Sequence, residues 1–216
     1  MLYALPHALK QFAIRDLVAL CKAQHTVVLT YDDGPSFDLT PKVLQELQRY
    51  NVRATFFPSG KNVVATREIL DLMCCQGHEI GCHAYSHRNA WNVGPIAAWM
   101  DARNGFRALS AWVSTDGLFR PPNGKIDLFT WLMLRISGAT LAWWTVDSGD
   151  TRSPLPNPTA VARAVGDAGG AVVLMHDLNR GAEQNEYVLE LTRALLEVAH
   201  DRGMVVIPLG VLLCSS

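Results

Sequence analysis

Residues 26–35 read T-V-V-L-T-Y-D-D-G-P, and residues 171–177 read A-V-V-L-M-H-D. Each is a short run of β-branched and large apolar side chains that stops abruptly at ionisable ones. Such runs read as strands. Further candidate strands lie at 54–57, 79–82, 117–120, 140–146 and 204–207, and they alternate with helical stretches. Helices are expected to start after Thr40-Pro41, Ala65-Thr66, Gly94-Pro95, Asp127, Pro158-Thr159 and Gly181, with a leading helix over 6–22. Alternation of this kind implies parallel strands joined by helical crossovers, hence an α/β layered sheet or barrel. The chain shows no internal repeat. Its Pro/Gly-rich stretch at 148–158 reads as a functional loop rather than a linker. One domain over 25–216 is expected, with residues 1–24 as a helical extension packed on it.

Composition narrows the function classes. The 216 residues are 49% hydrophobic and 18% charged, with a formal net charge of -1. That apolar fraction excludes disorder, and the lack of a basic excess argues against a general nucleic-acid or anionic-membrane binder. The longest apolar stretch, 205–214, is far short of the ~20 residues a membrane span needs. Pro6 and His7 break the apolar run at the N-terminus, so no secretory signal is read there and a cytoplasmic location is expected. The five cysteines include no C-x-x-C pair, which favours buried reduced thiols.

The polar outliers collect at strand ends. Asp32 and Asp33 follow the first run, His83 and His87 follow E-I-G-C, and Arg120 ends L-F-R. Asp147 and Asp150 follow W-W-T-V, and His176 ends the most apolar strand. In a parallel α/β fold all strand C-termini share one face, where active sites assemble. Adjacent carboxylates at a strand end point to opposite sides, so one of Asp32 and Asp33 can bind a metal while the other acts as general base. An Asp-Gly turn is the bland alternative. The i, i+4 pair in H-A-Y-S-H can reach one ion from a helical turn, and two imidazoles with one carboxylate describe a catalytic zinc site. His78-Glu79 invites a zincin reading, but the five-residue step to His83 turns the second ring off the first one's face. His176 suits a general acid, with Asp147 or Asp150 able to hold its ring. Arg120 could pair with Asp32.

In order, T-Y-D-D-G-P, H-A-Y-S-H, R-P-P, D-S-G-D and L-M-H-D resemble the five motifs of the NodB-like polysaccharide deacetylases, carbohydrate esterase family 4. The resemblance implies a distorted (β/α) barrel with parallel strands and one divalent ion, zinc above cobalt or nickel, on Asp33, His83 and His87. It also implies Asp32 as general base, His176 as general acid, Arg120 paired to Asp32, and Asp147 behind His176. The amide of Asn123 would help hold the oxyanion, and Leu174 would line the acyl pocket. Departures from the pattern include Thr151 where the family has a pocket-closing Trp. That reads as a wider pocket unless Trp91, Trp143 or Trp144 compensates. Cys82 beside the first metal His is read as packing.

The function implied is removal of an N-acetyl group from an amino sugar, releasing acetate and a free amine. Alternatives are a deformylase or deacetylase of a lipid-linked or nucleotide-linked amino sugar, an O-ester hydrolase, and a non-catalytic carbohydrate-binding relative. The partner is an N-acylated amino sugar. No nucleic-acid partner is expected, and membrane association would come through a lipid-linked substrate.

Overall fold

The computed structural model describes residues 7–113 and 116–214. In chain order its elements are α1 (His7–Ala23), β1 (Thr26–Asp32), α2 (Thr40–Arg49), β2 (Thr55–Phe57), α3 (Arg67–Cys75), β3 (Glu79–Ile80), α4 (Ala90–Val93) and α5 (Pro95–Ala108). Then follow β4 (Leu118–Phe119), α6 (Leu128–Ile136), β5 (Thr140–Leu141), β6 (Val146–Asp147), α7 (Pro158–Asp167), β7 (Ala171–His176), α8 (Ala182–Asp201), β8 (Val205–Val206) and α9 (Leu209–Cys214). Helix starts obey local chemistry. Asp127 accepts from the Thr130 amide ahead of α6, Asn157 accepts from the Ala160 amide ahead of α7, and Pro95 and Pro158 open their helices.

All the strand pairs are parallel. The main sheet runs β3-β2-β1-β7-β6, and β8 adds to the start of β1. β1 is buried along its whole length and carries β7 along one edge, so β2 and β8 share the other. A single bridge from Cys82 to Phe119 continues the run into the β4-β5 pair. The strands therefore curl into the expected (β/α) barrel, and among the described residues no ladder joins β5 to β6. This open seam explains why the strand expected over 140–146 is split. Ala142 donates to Phe119 and Thr145 to Val172, so the chain changes partners across the gap.

One buried cluster runs from Leu17 and Cys21 of α1, through β1 and β7, to Leu209 and Leu212 of α9. Helix α1 also braces the seam. The half-buried Lys10 sits 4.7 and 5.2 Å from the rings of Trp143 and Trp144 and donates to the carbonyl of Gly124. The cysteines are all free, but only Cys21 and Cys82 are buried; Cys74, Cys75 and Cys214 are exposed. No helix among the described residues is long and apolar enough to cross a membrane.

Helix α5 shapes the loop that carries His83 and His87. Asp101 accepts from the amides of Ser86 and Arg88 through its side chain and from Tyr85 through its carbonyl. Gly105 lies so close to this loop that a Cβ there would sit 2.5 Å from the carbonyl carbon of Ala84. Alanine in place of a helical glycine ordinarily gains about 1 kcal/mol. Here the backbone contact reverses the sign, and Gly105→Ala is expected to cost about 1–3 kcal/mol, read as a lower urea midpoint.

Candidate active site

Strand register builds the centre. Asp32, last in β1, pairs with His176, last in β7, so the two side chains stand next to each other at the barrel's C-terminal end. Asp32 is clamped from below. Arg120, fully buried, donates through Nη1 to Asp32 Oδ1 at 2.9 Å and to Thr30 Oγ1 at 2.7 Å, and through Nη2 to the Trp143 carbonyl. Asp32 Oδ2 stays free of that clamp and lies 3.7 Å from His83 Nε2.

Asp33 adopts φ 72°, and its Oδ1 lies 3.2 Å from His87 Nε2 and 3.6 Å from His83 Nε2. His83 Nδ1–H donates to the carbonyl of Arg120 at 2.7 Å, which leaves the Nε2 lone pair facing Asp33. The donor atoms of Asp33, His83 and His87 all fall within 4.8 Å of one another. Asp33 Oδ1 is buried without a hydrogen-bond partner. A bare, desolvated carboxylate oxygen facing two imidazole nitrogens fits a divalent cation. The two histidines do not sit on a helical turn as their spacing suggested. They occupy a loop in which Ala84 and His87 take φ 60° and 56°, and Gly105 and Asp101 hold its shape.

His176 is held by Asp150. Its Nδ1–H lies 2.9 and 3.1 Å from the two carboxylate oxygens, and its backbone N–H donates to the same group at 2.7 Å. The expectation that Asp147 stands behind His176 is corrected here. Asp147 is exposed, accepts from the Gly149 amide and lies 3.9 Å from Arg152. The turn at Gly149, with φ 77°, folds Asp150 back under the ring. Burial alone would lower the His176 pKa, but the Asp150 hydrogen bond and charge, with Asp32 and Asp33 behind them, raise it. Burial likewise works against Asp33, yet His83, His87, His176 and Arg180 hold its pKa below the usual carboxylate range.

Asp32, Asp33, His83, His87 and His176 line a cavity of about 360 Å³ whose walls also include Pro121, Asn123, Gly124, Trp144, Asp147, Thr151, Leu174 and Arg180. Trp144 and Thr151 thus line the same cavity, and the buried Trp143 ring lies 6.5 Å from that of Trp144. Trp91, expected at the substrate, is elsewhere: its indole N–H donates to the Ile126 carbonyl and Lys125 covers its ring at 4.0 Å. Cys82 is buried against the Ala102 carbonyl and is not part of the donor set. Arg180 was missed by sequence reasoning. It donates to Asp33 Oδ2 at 2.8 Å, from four residues past the strand end, where no spacing rule singles out an arginine. Asp177, also missed, is buried under the β1–α2 loop, accepts from Thr40, and is pushed up to about 7 chiefly by burial.

A family model described as polysaccharide deacetylase matches residues 19–142. A peptidoglycan-N-acetylglucosamine deacetylase from Bacillus cereus is 33% identical, over 80% of this chain and 81% of its own length. The chain belongs to the polysaccharide deacetylase family. A chitooligosaccharide deacetylase from Bradyrhizobium is 29% identical over 77% of each chain. A crystal structure of a peptidoglycan N-acetylglucosamine deacetylase superposes with a TM-score of 0.79 at 25% identity, covering 88% of this chain and 89% of that one. The peptidoglycan deacetylase PdaC of Bacillus subtilis gives 0.73 at 26%, covering 88% and 90%. Some relatives are far longer: the chain spans 34% of a Listeria monocytogenes peptidoglycan-N-acetylglucosamine deacetylase.

The Asp150–His176 pair makes a signed prediction. A histidine whose folded pKa is raised contributes stability that is complete below its unfolded value of about 6.5 and fades as pH rises through the folded value. Asp150→Asn should lower the His176 pKa measured by NMR and destabilise the protein most on the acid side of that range. Asp147→Asn should leave the His176 titration in place.

Proposed function

We propose that this chain hydrolyses the N-acetyl group of an amino sugar, using a divalent ion, zinc foremost, on Asp33, His83 and His87. The reading is carried by one juxtaposition: a three-residue donor set stands beside a buried carboxylate, Asp32, and an imidazole, His176, that its own carboxylate orients. The relatives named above, deacetylases of amino-sugar polymers, support the substrate class. When bound, such an ion polarises the acyl carbonyl and lowers the pKa of water.

The residues supply the rest. Asp32 Oδ2 takes a proton from the attacking water, while Arg120 occupies Oδ1 and fixes the orientation of the carboxylate. The Asn123 amide, on a loop with φ 57°, helps hold the oxyanion. His176, with Nδ1–H tied to Asp150, presents Nε2–H to the departing nitrogen. A C–O bond forms and the C–N bond breaks, one proton passing to Asp32 and one leaving His176, to give acetate and a free amine. Leu174 and Trp144 enclose the acetyl methyl in place of the missing Trp at Thr151.

Asp32→Asn is expected to retain zinc and lose about 10²–10⁴-fold in kcat, whereas His83→Ala loses both, as read by metal content and released amine. His176→Ala should damage amide hydrolysis more than hydrolysis of an activated ester, whose leaving group needs no proton. Release of no amine from a panel of N-acetylated amino sugars by zinc-loaded protein would overturn the assignment. Trp144→Ala should narrow the preference for acetyl over propionyl amides to within about tenfold in kcat/KM, since one methylene is worth only ~1–3 kcal/mol.

A further inference from the structure

The outward face of α5 and α6 carries aliphatic side chains that are about half exposed or more. On α5, Ile96, Met100, Arg103 and Arg107 follow steps of four, three and four, so they form one exposed stripe. On α6, Leu128, Leu132 and Ile136 recur every four residues and are 49%, 49% and 71% exposed, with Arg135 alongside. The Thr130 hydroxyl reaches the Pro95 carbonyl at 3.4 Å and joins the first turns of the two helices. Helix α1 widens the face. Its Leu9 and Ala13 share a cavity of about 440 Å³ with Trp131 and Arg135, and Leu9 and Phe12 are 50% and 58% exposed.

Charge is segregated around this face. Among the described residues from 90 to 136, the exposed ionisable groups are Arg103, Arg107, Arg135 and one acid, Asp116. Helix α8, packed against α7 and α2 instead, carries Glu183, Glu186, Glu190, Glu197 and Asp201 against Arg193 alone. The net charge of -1 thus conceals a basic apolar side and an acidic side.

We propose that the α1–α5–α6 face seats the protein on an anionic phospholipid bilayer. The aliphatic stripes enter the boundary between headgroups and acyl chains, and the three arginines pair with lipid phosphates. An apolar patch rimmed by basic side chains matches that surface. A two-fold contact with a second copy would bring together two patches that both carry basic charge. Helix α6 begins four residues after Gly124 of the cavity wall, and Lys125 between them lies over the Trp91 ring. The inference is independent of the reaction proposed above.

The test is sedimentation of the full chain with vesicles of phosphatidylcholine, alone or mixed with phosphatidylglycerol, at low and high salt. The protein is expected to pellet with the anionic vesicles and to be released by salt. Arg103→Glu/Arg107→Glu and, separately, Leu132→Glu/Ile136→Glu should each weaken partitioning about tenfold or more, with thermal melting and hydrolysis of a soluble substrate unchanged; a basic residue near such a surface contributes about fivefold. Partitioning equal on both lipids, absent on both, or unaltered in both variants overturns the proposal. Absent partitioning, together with a dimer in sedimentation equilibrium that Leu132→Glu/Ile136→Glu dissolves, would assign the face to a second copy instead.

Discussion

Everything at the barrel's C-terminal end hangs on one buried ion pair, Arg120 with Asp32. Taking a guanidinium and a carboxylate out of water costs several kcal/mol each, and their attraction only roughly repays it. The pair therefore adds geometry more than stability. Arg120 bonds to β1 through Thr30 and Asp32, reaches across to the Trp143 carbonyl, stacks over Phe57 at 4.1 Å, and lends its own carbonyl to His83. Asp32, His83 and the barrel wall are thus all referred to one residue, through its guanidinium and its backbone carbonyl. Losing either partner strands the other in a dry core, a change of about 3–5 kcal/mol.

The apolar strands and their ionisable ends were legible from sequence because burial and charge are written in residue type. β1 and β7 differ from expectation by one residue each. Helix starts at Pro41, Pro95 and Pro158 were legible for the same local reason. The seam was not. Residues 140–146 have the composition of one strand, and only the partners on either side, Phe119 and Val172, divide it. α4 and α9 escaped notice because four and six residues are too few to show a helical period.

The site divides in the same way. Asp32, Asp33, His83, His87 and His176 are brought together by strand ends, which a parallel fold gathers by construction. Asp147 and Asp150 could not be ranked by type, since both follow the same strand; a left-handed glycine between them makes the choice. Trp91 and Trp144 are equally aromatic, and only tertiary packing separates them: Trp144 lies by Lys10 and Arg120 at the cavity, and Trp91 bonds to the Ile126 carbonyl away from it. Arg180 carried no signal because its role exists only once β7 lies beside β1.

The division of the site between strands and loop sets an order of failure. Asp32 and His176 end the two longest strands, held by neighbours on both sides, so their hydrogen bonds open only when the barrel does. His83 and His87 stand on a loop whose first half, 83–85, is tied to the barrel by backbone bonds with Pro58, Gly60 and Lys61, whereas its 86–88 end hangs from the Asp101 carboxylate. On gradual heating or rising denaturant the 86–88 end, bonded through one side chain, is the weaker unit, and it opens first. His87 then leaves Asp33 while Asp32 and His176 still face each other. Failure in that regime is a reversible loosening of one side of the donor set in a folded barrel, and only the later parting of β1 from β7 is unfolding.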